Sequence, residues 1–94
     1  MSRAKRVDAN QNAIVKQLRK MGFSVAITSM VGKGFPDLVV ANWYMTVLVE
    51  LKDPSKPPSA RKLTEDEKKF HDSWCGDIVV ATKLEDIIQL LENA

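Results

Sequence analysis

The chain switches between two hydrophobic periods, and each switch marks an element. Val7, Gln11, Ile14, Leu18 and Met21 follow the spacing of one helical face, with Gln11 as a polar break in an apolar stripe. Asp8 suits an N-cap and Gly22 a C-cap, so the spacing predicts a helix over 8–21. "FSVAIT" (23–28) predicts a first strand and "VGKG" (31–34) a loop. "PDLVVA" (36–41) and "TVLVELK" (46–52) predict a second and a third strand. Both of these are almost continuously apolar, which predicts a sheet covered on both faces. The short "NWYM" between them predicts a hairpin.

Residues 53–62 hold three of the four prolines and no periodicity, and predict a loop. A second helix begins near "LTEDEKKFHDSW". Thr64 and Glu67 form a capping-box pattern, and Phe70 and Trp74 lie one turn apart. "DIVVAT" (77–82) predicts a fourth strand. Thr82 and Glu85 repeat the capping pattern before a stripe of Leu84, Ile87, Ile88 and Leu91. The order α-β-β-β-α-β-α predicts an α/β fold, a small mixed sheet of about four strands flanked by helices. The strand–helix–strand succession over 46–82 predicts a right-handed crossover and one parallel pair.

Composition narrows the class. Ninety-four residues fit one domain, 1–94. No apolar run approaches the roughly 20 residues of a membrane span. The basic N-terminus lacks the apolar block of a signal peptide. Cys75 is the single cysteine and suits a reducing, cytoplasmic interior; one cysteine and one histidine argue against a structural zinc site. Net charge is +2, but it is unevenly spread. Residues 1–20 carry six basic side chains and one acid, and residues 70–94 carry one basic side chain and five acids. Such clustering suits a phosphate backbone, and equally a solubilising surface.

The charged residues inside the apolar runs raise the chemistry. Side chains alternate along a strand, so Glu50 and Lys52 share a face with Leu48, while Val47, Val49 and Leu51 point the other way. If the second and third strands pair about the 42–45 turn, Asp37 falls beside Glu50 and Lys52. Two close carboxylates repel and raise each other's pKa. A divalent ion with hard oxygen ligands, Mg²⁺ or Mn²⁺, removes that penalty and can act on a phosphate. Lys52 could then orient water or stabilise developing charge. A salt-bridge network alone is the bland alternative.

"GFPDLVV", twelve residues between Asp37 and Glu50, and then "VELK" resemble the PD-(D/E)xK nuclease motif. The chain is similar over nearly its whole length to the stand-alone VRR-NUC branch of that superfamily, found in phages and bacteria. The similarity includes "DANQNAIVKQLRKMGFSV", the Pro-rich loop and "LTEDEKKFHDSW". The resemblance implies a restriction-endonuclease-like core and Mg²⁺- or Mn²⁺-dependent hydrolysis of DNA, leaving 5′-phosphate and 3′-hydroxyl ends. Carried over, Asp37 and Glu50 bind metal, Leu51 offers its carbonyl and Lys52 is the catalytic lysine. Gln11 matches a first-helix position that faces the metal, and Glu67 a polar position that contacts Lys52 or a metal water. Stand-alone members resemble Holliday-junction resolvases acting in DNA repair. That implies four-way or otherwise branched DNA, a two-fold homodimer and, for a phage protein, the cytoplasm of a bacterial host. The expected DNA contacts are Arg3, Lys5, Arg6, Lys33, Lys56, Arg61 and Lys62.

Several residues keep two readings. Gln11 is a satisfied core amide or a site residue. Glu67 is the capping partner of Thr64 or a neighbour of Lys52. Lys33 meets a phosphate or only solvent. Trp43 and Tyr44 fold back onto the sheet or meet a partner. Met21, Met30 and Met45 are expected to fill core gaps. His71 and Cys75 receive no role. The rival functions are a DNA-binding module that keeps the nuclease fold without turnover, and an adaptor with no nucleic-acid partner.

Overall fold

The computed structural model describes residues 10–92. Helix α1 (Gln11–Lys20) leads into strands β1 (Ser24–Ile27), β2 (Leu38–Ala41) and β3 (Thr46–Leu51). Helix α2 (Glu65–Ser73), strand β4 (Ile78–Ala81) and helix α3 (Leu84–Glu92) follow. The four strands form one mixed sheet in the order β1-β2-β3-β4, antiparallel except for the β3–β4 pair. This is the expected α/β fold with its α-β-β-β-α-β-α order and one parallel pair.

The register decides which face is the core. Leu38 lies opposite Val49 and Val40 opposite Val47, so these four share one face. That face, with Leu51, packs with Ile14, Val15 and Leu18 of α1 and Ile87 and Leu91 of α3. Leu18, Leu38, Val40, Val47, Val49, Leu51 and Ile87 are fully buried. The opposite face carries Leu48 and Glu50, both also buried, so β3 is enclosed on both sides from Val47 to Leu51. Central position and parallel pairing explain its apolar composition.

Local chemistry sets the element ends. At the C-terminus of α1 the Phe23 amide donates to the Leu18 carbonyl at 3.1 Å and the Gly22 amide to that of Arg19 at 3.0 Å. This double closure requires a left-handed residue, and Gly22 has φ +95°. The expected cap Asp8, with Val7, lies outside the described residues, and Asn10 occupies the N-cap without a side-chain hydrogen bond. Helix α2 has the expected capping box of Thr64 and Glu67. At α3 the pattern is displaced by one residue. Asp86, not Glu85, accepts from the Thr82 and Lys83 amides, at 3.0 and 3.3 Å, because the helix starts at Leu84.

Two further expectations are corrected, and one pair of alternatives is narrowed. The Pro-rich stretch is not wholly irregular: Pro58–Arg61 form a 3-10 turn that begins on a proline with its φ already set. Met21 and Met30 are 51% and 63% exposed rather than filling the core, since each sits in a turn beyond the end of its element; Met45 does pack against the core. Trp43 and Tyr44 do not fold back and are 98% and 89% exposed. No helix among the described residues is long and apolar enough to cross a membrane.

Candidate active site

The site begins where the β2–β3 ladder stops. One step beyond the Leu38–Val49 pair, Asp37 comes opposite Glu50, and one further step would bring Pro36 opposite Leu51. Pro36 has no N–H to offer the Leu51 carbonyl. Its own carbonyl is turned away and accepts from the Thr28 hydroxyl at 2.8 Å. The Leu51 amide is satisfied instead by the Asp37 carboxylate, at 2.8 Å. N–H and C=O of one strand residue point to the same side, so the Leu51 carbonyl is directed toward Asp37. The Pro-Asp pair thus ends the ladder, turns a carboxylate into the gap between the two central strands and leaves a backbone oxygen beside it.

Glu50 is buried on the same face of this junction as Asp37, at 2% exposure, and its Oε1 has no hydrogen-bond partner. Burial first, then the Asp37 charge, then hydrogen bonding and charge from Glu67, push its pKa from the ordinary 4.5 up to about 9. Glu50 therefore carries a proton at neutral pH in the metal-free protein. Lys52 lies 3.7 Å from Glu50 Oε2 but only 2.8 Å from Glu67 Oε1, so its charge serves Glu67. Burial opposes ionisation of Glu67. The Lys52 ammonium, the Thr64 amide and the hydrogen bond from Glu50 outweigh it and pull the pKa down to about 2.

The two readings of Glu67 turn out to be compatible. Its Oε1 accepts from the Thr64 amide at 2.9 Å while also holding Lys52, and its own amide donates to Thr64 Oγ1 at 3.2 Å. The first turn of α2 is seated by Gly34, where a Cβ would collide with the Asp66 carbonyl. Gly34 also has φ +81°, a conformation that L side chains rarely adopt. Phe70 packs edge-on against Phe35 at 5.2 Å and stacks on Trp74 at 5.3 Å, fixing the rest of the helix. Loop 31–36, directly before Asp37, is thus the bed on which Glu67 is placed.

Gln11 is 2% exposed on the first turn of α1. Its Nε2 donates to the buried Ser29 hydroxyl at 3.3 Å, and its Oε1 is buried without a partner. A satisfied core amide would not leave that oxygen idle. Ser29 and Thr28, just past β1, are the residues that sequence reasoning missed. Two hydroxyls closing an apolar strand were the available signal. Thr28 also donates its amide to the Asp37 carbonyl at 2.8 Å.

The expected DNA contacts divide. Arg3, Lys5 and Arg6 lie outside the described residues. Lys33, Lys56 and Lys62 are exposed, with Lys33 raised on a left-handed turn at φ 55°. Arg61 is half-buried, and its Nε has no partner. His71 is partly buried and its pKa is lowered, burial outweighing the nearby Glu67 and Asp72 charges.

Among the described residues no three His, Cys, Asp or Glu side chains converge as a metal cage. The oxygens assembled here are the Asp37 and Glu50 carboxylates and the Leu51 carbonyl, with the Gln11 amide oxygen a further candidate. Two of them, Glu50 Oε1 and Gln11 Oε1, are buried and unpartnered. An all-oxygen set with orphaned acceptors suits a hard divalent cation. The α/β fold and this cluster define a candidate acidic site at the strand ends between β2 and β3. Comparison of the chain with protein families, curated proteins and solved structures found no match.

Proposed function

We propose that this protein is a metal-dependent, structure-selective DNA endonuclease that hydrolyses phosphodiesters in four-way or other branched DNA. The observation that carries this reading is the idle, buried Glu50 Oε1 beside the Asp37 carboxylate, with Lys52 3.7 Å from Glu50. Folding two carboxylates together in a buried place is costly without a cation to receive them.

Asp37 and Glu50 would hold Mg²⁺ or Mn²⁺ with the Leu51 carbonyl, and Gln11 would add a neutral oxygen. The bound ion would supply Lewis-acid activation of water and of the scissile phosphate. Glu50 must give up its proton to bind. Lys52, aligned by Glu67, orients the attacking water and stabilises negative charge as the water adds to phosphorus. The attacking water gives up a proton to solvent as the bond from phosphorus to the 3′-oxygen breaks, the leaving 3′-oxygen takes a proton from solvent, and the product ends are a 5′-phosphate and a 3′-hydroxyl. Lys33, Lys56, Arg61 and Lys62 hold flanking phosphates, which position the DNA without reading its sequence. One such site cuts one strand, so a two-fold homodimer would cut a junction symmetrically. A cytoplasmic setting suits the free, exposed Cys75.

A DNA-binding module without turnover is the second reading. It is favoured by the neutral Gln11 and by the tight Lys52–Glu67 pair at 2.8 Å. A nicking assay on four-way junctions, flaps and plain duplex, with and without Mg²⁺ or Mn²⁺, separates the two. Metal-dependent nicking supports the nuclease; binding without cutting at every metal concentration supports the module.

A further inference from the structure

The hairpin tip is the part of the molecule that the proposed chemistry leaves unexplained. Trp43 and Tyr44 are almost fully exposed, yet the turn that bears them is firmly built. The Asn42 side-chain oxygen accepts from both the Tyr44 and Met45 amides at 2.8 Å. The Asn42 amide donates to the Met45 carbonyl at 3.0 Å, and its Nδ2 reaches the Leu91 carbonyl of α3 at 3.3 Å. Two aromatic rings in water on a rigid turn cost solvation without adding to the core.

Charge around the tip is one-sided. A groove of about 500 Å³ beside Trp43 is lined by Met21, Phe23, Ser24 and Ala41. Lys20 directly precedes Met21, and the Arg19 guanidinium donates to the Val25 carbonyl at 3.0 Å, one residue from Ser24. Helix α1 contains Lys16, Arg19 and Lys20 and no acid. The groove on the Tyr44 side is bordered by Glu92. A polyanion is therefore attracted on the Trp43 side and repelled on the other.

Size discriminates among occupants. Two aromatic side chains offer roughly 300–500 Å², well short of the roughly 800 Å² that each partner gives to a stable protein interface. A single nucleobase needs only one ring face.

We propose that Trp43, assisted by Tyr44, is a stacking platform for an unpaired base of the DNA substrate, with Lys20 and Arg19 holding the adjoining phosphates. This rests on the nuclease reading and refines its substrate to DNA that carries a single-stranded stretch. The tip lies at the opposite end of β3 from Glu50, Tyr44 six and Trp43 seven residues before it, about 20 Å away. At the roughly 3.4 Å rise of duplex DNA, that span is about six base pairs between the unpaired base and the scissile phosphate.

The test compares binding of a blunt duplex with the same duplex bearing a single-stranded thymidine tail, in EDTA so that nothing is cut. The parent is expected to prefer the tailed DNA by about tenfold or more. Trp43→Ala should erase the preference, Trp43→Phe should keep most of it, and Tyr44→Ala should lose less. In a Trp74→Phe background, the tailed DNA should quench the Trp43 fluorescence. A Trp43→Ala variant that keeps the preference overturns the proposal. So does a parent that binds both DNAs equally in EDTA; if it nicks DNA once Mg²⁺ is restored, the nuclease reading survives. A parent that binds neither DNA in EDTA overturns it too, and one that also neither binds nor nicks DNA with Mg²⁺ or Mn²⁺ removes both. Loss of a dimer in sedimentation with an unchanged tail preference would assign the rings to a second copy and also overturn it.

Discussion

The Asp37 carboxylate accepts a hydrogen bond from the Leu51 amide, fourteen positions along the chain, at 2.8 Å. One side chain thereby takes the place of a backbone carbonyl in the sheet. The bond holds the carboxylate at the end of the β2–β3 ladder and ties the geometry of the site to that pairing.

That bond separates two substitutions that a pure ligand role would treat alike. Asp37→Asn keeps an acceptor for Leu51 and removes a charge facing Glu50. Asp37→Ala leaves the buried amide unpaired, at a cost of about 1–3 kcal/mol. Thermal melts of the metal-free protein should show Asp37→Asn at or above the parent and Asp37→Ala below the Asn variant. Both should abolish metal-dependent nicking, and normal cutting by either would remove Asp37 from the site.

Glu50 sets a pH dependence with a definite sign. Its folded-state pKa of about 9 lies above the ordinary 4.5, so it favours the folded state while protonated. That contribution is complete below about pH 4.5 and is lost as pH rises toward 9. The metal-free protein should therefore lose melting temperature over this window, and Glu50→Gln should flatten the slope. Glu67 acts oppositely. Its pKa, lowered to about 2, gives stability present above pH 4.5 and lost as pH falls toward 2. Identical slopes in parent and Glu50→Gln between pH 5 and pH 9 would contradict the assignment.

Glu67 holds Lys52 and the start of α2 with one oxygen. Glu67→Ala should cost about 1–3 kcal/mol through the lost cap and the stranded ammonium. Glu67→Gln keeps the cap acceptor and should cost less, while still slowing nicking because Lys52 loses its counter-charge. Lys52→Ala should reduce the nicking rate more than metal affinity. Equal rates for parent, Glu67→Gln and Lys52→Ala would show that the pair is only structural.

Gly34→Ala tests the bed of α2. The new Cβ meets the Asp66 carbonyl and the backbone is already at φ +81°, so α2 must shift and carry Glu67 with it. Both melting temperature and nicking should fall. By contrast, Leu18→Ala, in the core away from this loop, should cost about 2–5 kcal/mol through the cavity alone. Comparing nicking rates well below both melting temperatures distinguishes misplacement of Glu67 from simple instability.

Much of the fold was legible because periodicity and caps agree. The stripe of α3, the capping box of α2 and the two apolar strands are local signals, and tertiary packing follows them. The encounter of Asp37 with Glu50 was readable from alternation and hairpin pairing alone. The Asp37–Leu51 bond was not, because it depends on Pro36 being drawn off by Thr28. The Gln11–Ser29 contact escaped for a similar reason, since helix-to-strand docking has no fixed spacing in sequence. Met21 and Met30 misled because hydrophobicity does not report whether a turn residue lies over the core or beyond its edge. The capping shift from Glu85 to Asp86 reflects adjacent acids that serve equally well in sequence.

The central claim is that Asp37 and Glu50 jointly receive a divalent cation. A crystal soaked in Mn²⁺, with its anomalous difference map, addresses this without reference to any DNA substrate. The account predicts a peak bridging the two carboxylates at about 2.0–2.3 Å from an oxygen of each, with the Leu51 carbonyl on the same ion and no peak in Asp37→Asn. A saturating soak with no peak there, or a peak that persists unchanged in that variant, would contradict it.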